Sequence, residues 1–553
     1  MIKMLKKKVA EKIPAEINKE DITIPPKDMG DYALPCYVLA KELKKDPKEI
    51  AKELAEKIET EENISKAKDE GGYLNIFLNK EFLTKSVLKQ VKKSGRDYGS
   101  LKLGEGKKAL VEHTSVNPNA SPHLGRARNS FIGDSVQRLM RFQGYKTEVH
   151  YYVNDVGKQI AMLAYACKTR EVYDFSELLD IYVQVNEELK ENPEKEKEIF
   201  SLLNRLENGD KEIKDLFKKV VDICLTGQKE LFNELDIKFD YYDYESKYLW
   251  NNRTSEILEM LEKTGKVFVD EHGRKILDLS GYDLPMKNPV FVLTREDGTS
   301  LYGLRDISYT IDKIKRATEN NVIILGEDHK LYLKQLAAAL ELLGFKAPDV
   351  IHYSFVLLKE GKMSTRKGNL VLLSEVMEKA KFKAAEEIKK RNPNMEENEV
   401  SELSKIIGYG AAKFTILKTS PEKNVTFDWE KALNFEGDSA PYIQYTYARI
   451  QSILNKYKAN VSEKVDFSLY NEHEAQLAKK LSEFEEVLAN EKPHLLANYL
   501  LELTQDFNNY YHNNPILNQE TPLKKARLLL AESTGVVIKT GLELLGINAP
   551  ERM

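Results

Sequence analysis

The sequence predicts a multidomain α/β protein: a small α/β unit over residues 1–104, a parallel-sheet α/β domain over 105–394, and an α-helical bundle over 395–553. Three observations carry this. A chain of 553 residues is too long for one ordinary core, so about three or four domains are expected. Around 108–153 the pattern runs strand, loop, helix, strand, which favours parallel pairing with ligands at the strand C-terminal ends. After about 395 the apolar periodicity is almost wholly helical.

Taken in order, "DPKEIAKELAEKI" reads as a helix capped by Asp46, with Pro47 in its first turn and Glu49 completing a capping box. Ile50, Leu54 and Ile58 then recur at helical spacing. "GGYLNIFLN" alternates Tyr73, Asn75 and Phe77 against Leu74, Ile76 and Leu78, as a strand does. "KSGRDYGSLKLGEGKK" is a polar, glycine-rich link and the first boundary. Beyond it, "KALVEHTS" is a buried strand and "NSFIGDSVQRLMRFQGY" a helix with Ile132, Val136, Leu139 and Met140 on one face. "TEVHYYVND" is the next strand. Residues 168–235 are charge-rich helices, an insertion or a flank of the sheet. In "NPVFVLTREDGTSLYGLRDI" the "REDG" signals a hairpin. "NVIILGEDH" is a buried strand ending in a polar loop, and "IHYSFVLLKEGKMSTRKGNLV" a strand followed by a basic loop. In the C-terminal region "YIQYTYARIQSILNKY" places Ile443, Tyr447, Ile450 and Leu454 on one stripe, as in a bundle.

Hydrophobic residues at 42% and charged residues at 31% describe a soluble globular protein. Lys plus Arg is 84 and Asp plus Glu is 88, so net charge −4 gives no argument for a polyanionic partner; any basic surface is local. Cys36, Cys167 and Cys224 lie far apart, which argues against a local zinc site and a disulfide framework. No run approaches the roughly 20 apolar residues of a membrane span. A cytoplasmic enzyme is expected.

Two stretches carry chemistry. "SPHLGRARN" sets His123, Gly125 and Arg126 where a strand hands over to a helix. Exposed N–H groups and the helix dipole favour an anion there, and Gly125 admits a ligand close to the backbone. An ordinary turn with surface arginines fits the stretch equally well. "GKMSTRKGN" holds Lys362, Arg366 and Lys367 among glycines and hydroxyls. Such a loop is suited to neutralise a triphosphate during nucleotidyl transfer, although a solvated turn has the same composition. It is not a Walker A loop.

His-x-Gly and Lys-Met-Ser within one α/β region resemble the HIGH and KMSKS signatures of class I aminoacyl-tRNA synthetases. With "VEHTSVNPNASPHLGRARNSFIGD", "YYVNDVGKQI", "DGTSLYGLRDISY", "SAPYIQYTYARI" and "LLGINAPERM", the chain resembles the arginyl-tRNA synthetases, archaeal type, nearly end to end. Two positions depart from the pattern. Arg126 stands where HIGH ends in His, and Thr365 where KMSKS has its second Lys, leaving Arg366 or Lys367 to supply that charge.

The resemblance implies a Rossmann-type class I synthetase catalytic domain with a helical insertion, an N-terminal domain that touches tRNA, and a helical anticodon-binding bundle. It implies an arginine–tRNA ligase that forms arginyl-adenylate and pyrophosphate from L-arginine and ATP, then transfers arginine to the terminal ribose of tRNA(Arg). Mg²⁺ accompanies ATP; a protein-bound metal is not expected, and the expected state is a monomer. His123, Gly125, Arg126, Lys362, Met363, Ser364, Arg366 and Lys367 take the catalytic positions, with Asp328 and His329 on the nucleotide side. Glu112, Ser115 and Asn117 match positions that hold the substrate's amino end. Tyr302 and Asp306, four apart on a helix, match those that hold its guanidinium, a group that wants a carboxylate and an aromatic face. Tyr73 and Asn75, sharing a strand face, suit stacking on an unpaired base and reading its edge. A synthetase for another amino acid, a non-catalytic RNA-binding relative and a small-metabolite nucleotidyltransferase remain as alternatives.

Overall fold

The computed structural model describes all residues except 1–5, 7–9, 11–12, 14–16, 19–20, 27–28, 59, 61–62, 120, 172, 193, 318–319, 359–360, 363–370 and 458–464, and the side chains of Ala317, Leu358, Gly361 and Lys362. It comprises two compact units: Met1–Leu101 with Asn434–Leu544 and Asn548–Met553, and Lys102–Leu433 with Leu545–Ile547.

The first unit begins with β1 (Tyr32–Pro35), α1 (Tyr37–Leu43), α2 (Pro47–Lys57), β2 (Ile64–Glu70), β3 (Tyr73–Leu78) and α3 (Lys80–Ser94). The α2 helix starts where the sequence places it: the Asp46 carboxylate accepts from the Lys48 N–H, and Pro47 occupies the first turn. Ile50, Leu54 and Ile58 are buried. The strands form an antiparallel sheet in the order β1-β3-β2. Strand β3 is the central strand, hydrogen-bonded along both edges. Asn75 is only 3% exposed while Tyr73 is 43% exposed, so the two do not form the shared open face that the alternation suggests.

The second unit is built on β4 (Lys108–Glu112), α4 (Leu124–Phe142) and β5 (Lys146–Val153), the expected strand–helix–strand. Four helices follow: α5 (Lys158–Arg170), α6 (Leu178–Glu191), α7 (Glu194–Glu207) and α8 (Lys211–Glu234). Next come β6 (Tyr241–Tyr244), α9 (Arg253–Glu262) and a small antiparallel sheet of β7 (Val267–Val269), β8 (Lys275–Asp278) and β9 (Val290–Val292). The "REDG" hairpin closes after it, with Arg295 N–H donating to Thr299 O and Gly298 at φ +82°. The chain then forms α10 (Tyr302–Ala317), β10 (Asn320–Gly326), α11 (Lys330–Leu342), β11 (Asp349–Tyr353), β12 (Val356–Leu358) and β13 (Gly361–Lys362).

The main sheet has the order β11-β10-β4-β5-β6, and every neighbouring pair is parallel. From β4 the chain first builds β5 and β6 on one side, then returns to place β10 and β11 on the other. That reversal opens a crevice beyond the carboxyl end of β4, the usual ligand position in such sheets. Helix α4 sits close over this end. A Cβ on Gly133 would lie 2.2 Å from His113 Cβ, so only glycine lets the helix approach.

The unit closes with α12 (Leu373–Arg391), α13 (Glu397–Leu417) and β14 (Val425–Phe427), which pairs parallel with β12. Helix α13 packs on α12 and belongs to the sheet-bearing unit. That unit runs on to Leu433. Helical periodicity shows that a segment has a buried face, not which core buries it. The first unit resumes with α14 (Ala440–Tyr457), α15 (Glu472–Ser482), α16 (Pro493–Asn513) and α17 (Thr521–Leu544). Ile443, Tyr447 and Ile450 are buried as the stripe predicts. Among the described residues no helix is long and apolar enough to cross a membrane.

Candidate active site

His123 is the N-cap residue of α4, and its imidazole makes no capping bond. Burial, with the Arg126 charge beside it, pushes its pKa down to about 4. His123 is thus neutral near pH 7, and its buried Nδ1 has no hydrogen-bond partner among the described residues. A neutral imidazole with an unused nitrogen offers a hydrogen bond rather than a charge. Gly125 and Arg126 follow in the first turn, whose free N–H groups favour an anion. Arg128, the next arginine, is wholly buried. Its guanidinium donates to Ser354 O at 2.7 Å and Ser420 O at 2.9 Å, so it serves packing.

Residues on both sides of the basic loop are bonded to α4. Upstream, Arg128 holds the Ser354 carbonyl. Downstream, Leu124 N–H donates to Val371 O at 3.0 Å and Leu373 N–H to Pro122 O at 2.8 Å, and His123 pairs with Leu372. The segments flanking "GKMSTRKGN" therefore meet the helix start that carries His123. Met363, Ser364, Arg366 and Lys367, with the Lys362 side chain, lie outside the described residues.

Past β10, Glu327–His329 form a 3₁₀ turn. Asp328 is exposed and His329 half-buried, and they approach each other at 3.7 Å, while the Glu327 carboxylate accepts from Ser354 Oγ at 2.8 Å.

A second cluster lies where α10 faces the ends of β4 and β5. Asp306, Tyr309 and Lys313 recur at helical spacing along α10, and each meets this cluster. Lys313 Nζ is ion-paired with the Glu112 carboxylate and lies 4.3 Å from the Tyr309 ring centroid. Tyr332 of α11 donates to the Asp306 carboxylate, and the Tyr302 ring, 57% exposed, packs on Tyr332 with centroids 5.3 Å apart. Arg305 Nε donates to Glu245 Oε1 at 2.6 Å, both residues being buried. Burial pushes Asp306 up to about 6, with the nearby Glu112 charge adding to the rise against Tyr332, Arg305 and Lys313. Burial likewise raises Glu245 to about 7 despite Arg305, with Asp306 and Asp155 reinforcing the rise. Carboxylates (Asp306, Glu112, Glu245, Asp155) outnumber cations (Arg305, Lys313) in this low-dielectric space. Such a surplus of carboxylates favours a cation.

Beside it, the strand-end turn is tightly held. Ser115 Oγ donates to His113 O at 3.3 Å and accepts from the Tyr152 N–H at 3.0 Å. Asn117 Nδ2 donates to Gln159 Oε1 at 2.8 Å, and Gln228 Nε2 donates to Asn117 O at 3.2 Å. The three cysteines are free and buried, and no His/Cys/Asp/Glu cluster among the described residues could hold a metal.

A helix start that meets residues flanking a basic segment, next to a cation-seeking pocket at a parallel-sheet switch point, finds close counterparts among known proteins. The model for the catalytic domain of class I (R) tRNA synthetases matches residues 87–429. Those for the arginyl-tRNA synthetase N-terminal domain and the DALR anticodon-binding domain match 1–78 and 443–553. The chain belongs to the arginyl-tRNA synthetase family. The arginine–tRNA ligase of Methanocaldococcus jannaschii is 40% identical over 575 residues, spanning 100% of this chain and 99% of that one. That of Clostridioides difficile is 37% identical, spanning 97% of each. The Thermus thermophilus arginyl-tRNA synthetase structure superposes with a TM-score of 0.82 at 29% identity, covering 100% of this chain and 98% of that one.

Within this class I synthetase fold, the sequence expectations divide clearly. Glu112, Tyr302 and Asp306 meet in one pocket or at its rim, and His123, Gly125 and Arg126 share one helix start. Lys313, Tyr332, Glu245 and Arg305 were not anticipated. Lys313 carried a legible signal, seven residues after Asp306 on the same helix face. Glu245 and Tyr332 carried none, because their positions depend on how separate elements pack.

Proposed function

We propose that this chain, an arginine–tRNA ligase by family, binds arginine with its guanidinium against Asp306 and its aliphatic stem beside Tyr302. Glu112, Ser115 and Asn117 receive the amino end. ATP, as its Mg²⁺ complex, lies over the α4 N-terminus. There His123 donates a hydrogen bond as a neutral imidazole, Gly125 allows close approach, and Arg126 supplies a permanent charge in place of the family's second His. Asp328 and His329 flank the nucleotide, and Lys362, Met363, Ser364, Arg366 and Lys367 form the second half of the phosphate seat. The arginine carboxylate attacks the α-phosphate, an oxygen–phosphorus bond forms, and pyrophosphate leaves. The terminal 2′-OH of tRNA(Arg) then attacks the arginyl carbonyl and AMP leaves. Catalysis rests on positioning and on charge placed against the phosphates. Tyr73, exposed on β3, contributes to tRNA binding, and the enzyme works as a cytoplasmic monomer.

The observation that carries this reading is the convergence on α4: residues flanking the basic loop hydrogen-bond to the helix start that bears His123, while β4, which precedes that helix, ends in the cation-seeking pocket. The test is aminoacylation of total tRNA by purified protein with ATP, Mg²⁺ and each amino acid in turn. Arginine alone is expected to yield charged tRNA; charging with a different amino acid, or none, overturns the reading.

A further inference from the structure

Beyond β4 the backbone does something expensive. Thr114 and Ser115 occupy φ +69° and +41° in succession, and neither is glycine. Left-handed conformations cost non-glycine residues on the order of 1 kcal/mol each, more for a β-branched side chain. Such a turn persists only where its surroundings impose it. One side chain does so from the neighbouring helix. Asn129, 3% exposed on the second turn of α4, accepts from the Thr114 N–H at 2.6 Å and donates to Ile324 O at 2.7 Å. Its carboxamide spans the adjacent ends of β4 and β10, across the crevice where the strand order reverses. Thr114 Oγ1 adds a bond to Ser130 Oγ at 3.0 Å, from the next residue of the same helix.

The consequence lies one residue on. With 114–115 left-handed, Ser115 Oγ is turned back to bridge His113 O and the Tyr152 N–H, so its hydroxyl braces the turn. The chain leaves toward Asn117, whose amide is fixed on Gln159. We propose that Asn129 is a positioning residue of the arginine pocket. By clamping Thr114 and Ile324 it maintains the strained turn that aims Ser115 and Asn117 at the amino end of arginine. It touches no substrate itself. Only a carboxamide of this length serves, because one atom must accept while its neighbour donates. The inference rests on the proposed seating of the amino end at Ser115 and Asn117.

The test separates the amino end from the guanidinium end. L-Arginine and 5-guanidinopentanoate share the guanidinium and carboxylate, and only arginine has the α-amino group. Their binding is measured in tRNA-dependent pyrophosphate exchange, as KM for arginine and as Ki for the analogue, in the parent enzyme, Asn129→Ala and Asn129→Asp. Asn129→Asp keeps the shape and the acceptor for Thr114 but sets an oxygen against Ile324 O; it carries the test should Asn129→Ala not fold. Each variant is expected to raise the arginine KM about tenfold, the loss of one to two buried hydrogen bonds in alignment, with the analogue's Ki at its parental value. Equal losses for both ligands, or no loss in folded variants, overturn the clamp. A parent enzyme that binds both ligands equally instead overturns the seating of the amino end.

Discussion

At the scale of single residues, Asp306 is where the pocket's electrostatics are most exposed to test. Its carboxyl, pushed up to about 6 by burial and by Glu112, is ionised at pH 7.5 and takes up a proton as pH falls through 6. A protonated carboxyl cannot pair with a guanidinium, so with arginine seated as proposed its binding is expected to weaken in the acid direction and strengthen above it. The arginine KM in pyrophosphate exchange is expected to rise severalfold between pH 7.5 and 5.5. Asp306→Asn keeps the shape without the charge; it should raise KM by about 10- to 100-fold, the worth of a charge-assisted bond, and flatten that pH dependence. A flat profile in the parent enzyme would place the guanidinium elsewhere. That Asp306 and Tyr302 lie together was legible because a helix brings residues four apart to one face. The partners that set the Asp306 pKa were not. Glu112 and Lys313 are paired although far apart in the chain, and Tyr332 enters from a separate helix.

At the scale of elements, most of the fold was legible, because period-2 and period-3.6 patterns report burial directly. Helix α2 begins at its predicted cap, and "NVIILG" and "TEVHYYV" form β10 and β5. The misreadings share one cause. Alternation along β3 identified a strand, but which of its side chains stay open depends on what packs over each part of its faces: Asn75 is buried and Tyr73 is not. The periodicity of α13 identified a helix, and its membership of the sheet-bearing unit depends on α12. Between those two helices Gly408 is a point of close approach. A Cβ there would lie 2.7 Å from the Ala380 carbonyl carbon and oxygen and 2.9 Å from the Lys381 nitrogen, all backbone atoms that no rotamer change can move aside. Gly408→Ala favours the helix intrinsically by up to about 1 kcal/mol, yet overpacking against backbone costs about 1–3 kcal/mol. The clash wins. A lowered thermal midpoint is expected from unfolding followed by circular dichroism, and an unchanged or raised one would mean that the helices separate freely.

At the scale of the whole molecule, a short segment just after the last long helix belongs to a different unit from that helix. Residues Leu545–Ile547 belong to the sheet-bearing unit, although α17 and Asn548–Met553 belong to the other. There Leu545 and Ile547 are each 1% exposed, and Gly546 O accepts from Lys413 Nζ at 2.6 Å. The same ammonium donates to Leu235 O at 2.6 Å, with Asp134 close by. Burial pushes Lys413 down to about 8. Between that value and its ordinary value near 10.5 the unfolded chain holds a proton that the folded chain has released. Its contribution to stability therefore rises with pH over that window. Below it, the charge is received by two carbonyls and favoured by the nearby Asp134 and Asp236. Deleting Leu545–Met553 withdraws one of those carbonyls and loses the burial of the Leu545 and Ile547 side chains, worth about 1.5–3 kcal/mol each. The expected result is local. Hydrogen exchange should quicken around 134–138, 233–237 and 409–415, the segments that meet these residues, while β10 and β11 keep their protection. The thermal midpoint of the deleted protein should also fall further below the parent at pH 7 than that of a Lys413→Met version of the same deletion, because methionine leaves no stranded charge. Equal midpoints for the two deleted proteins would show that the ammonium finds water once Gly546 is gone.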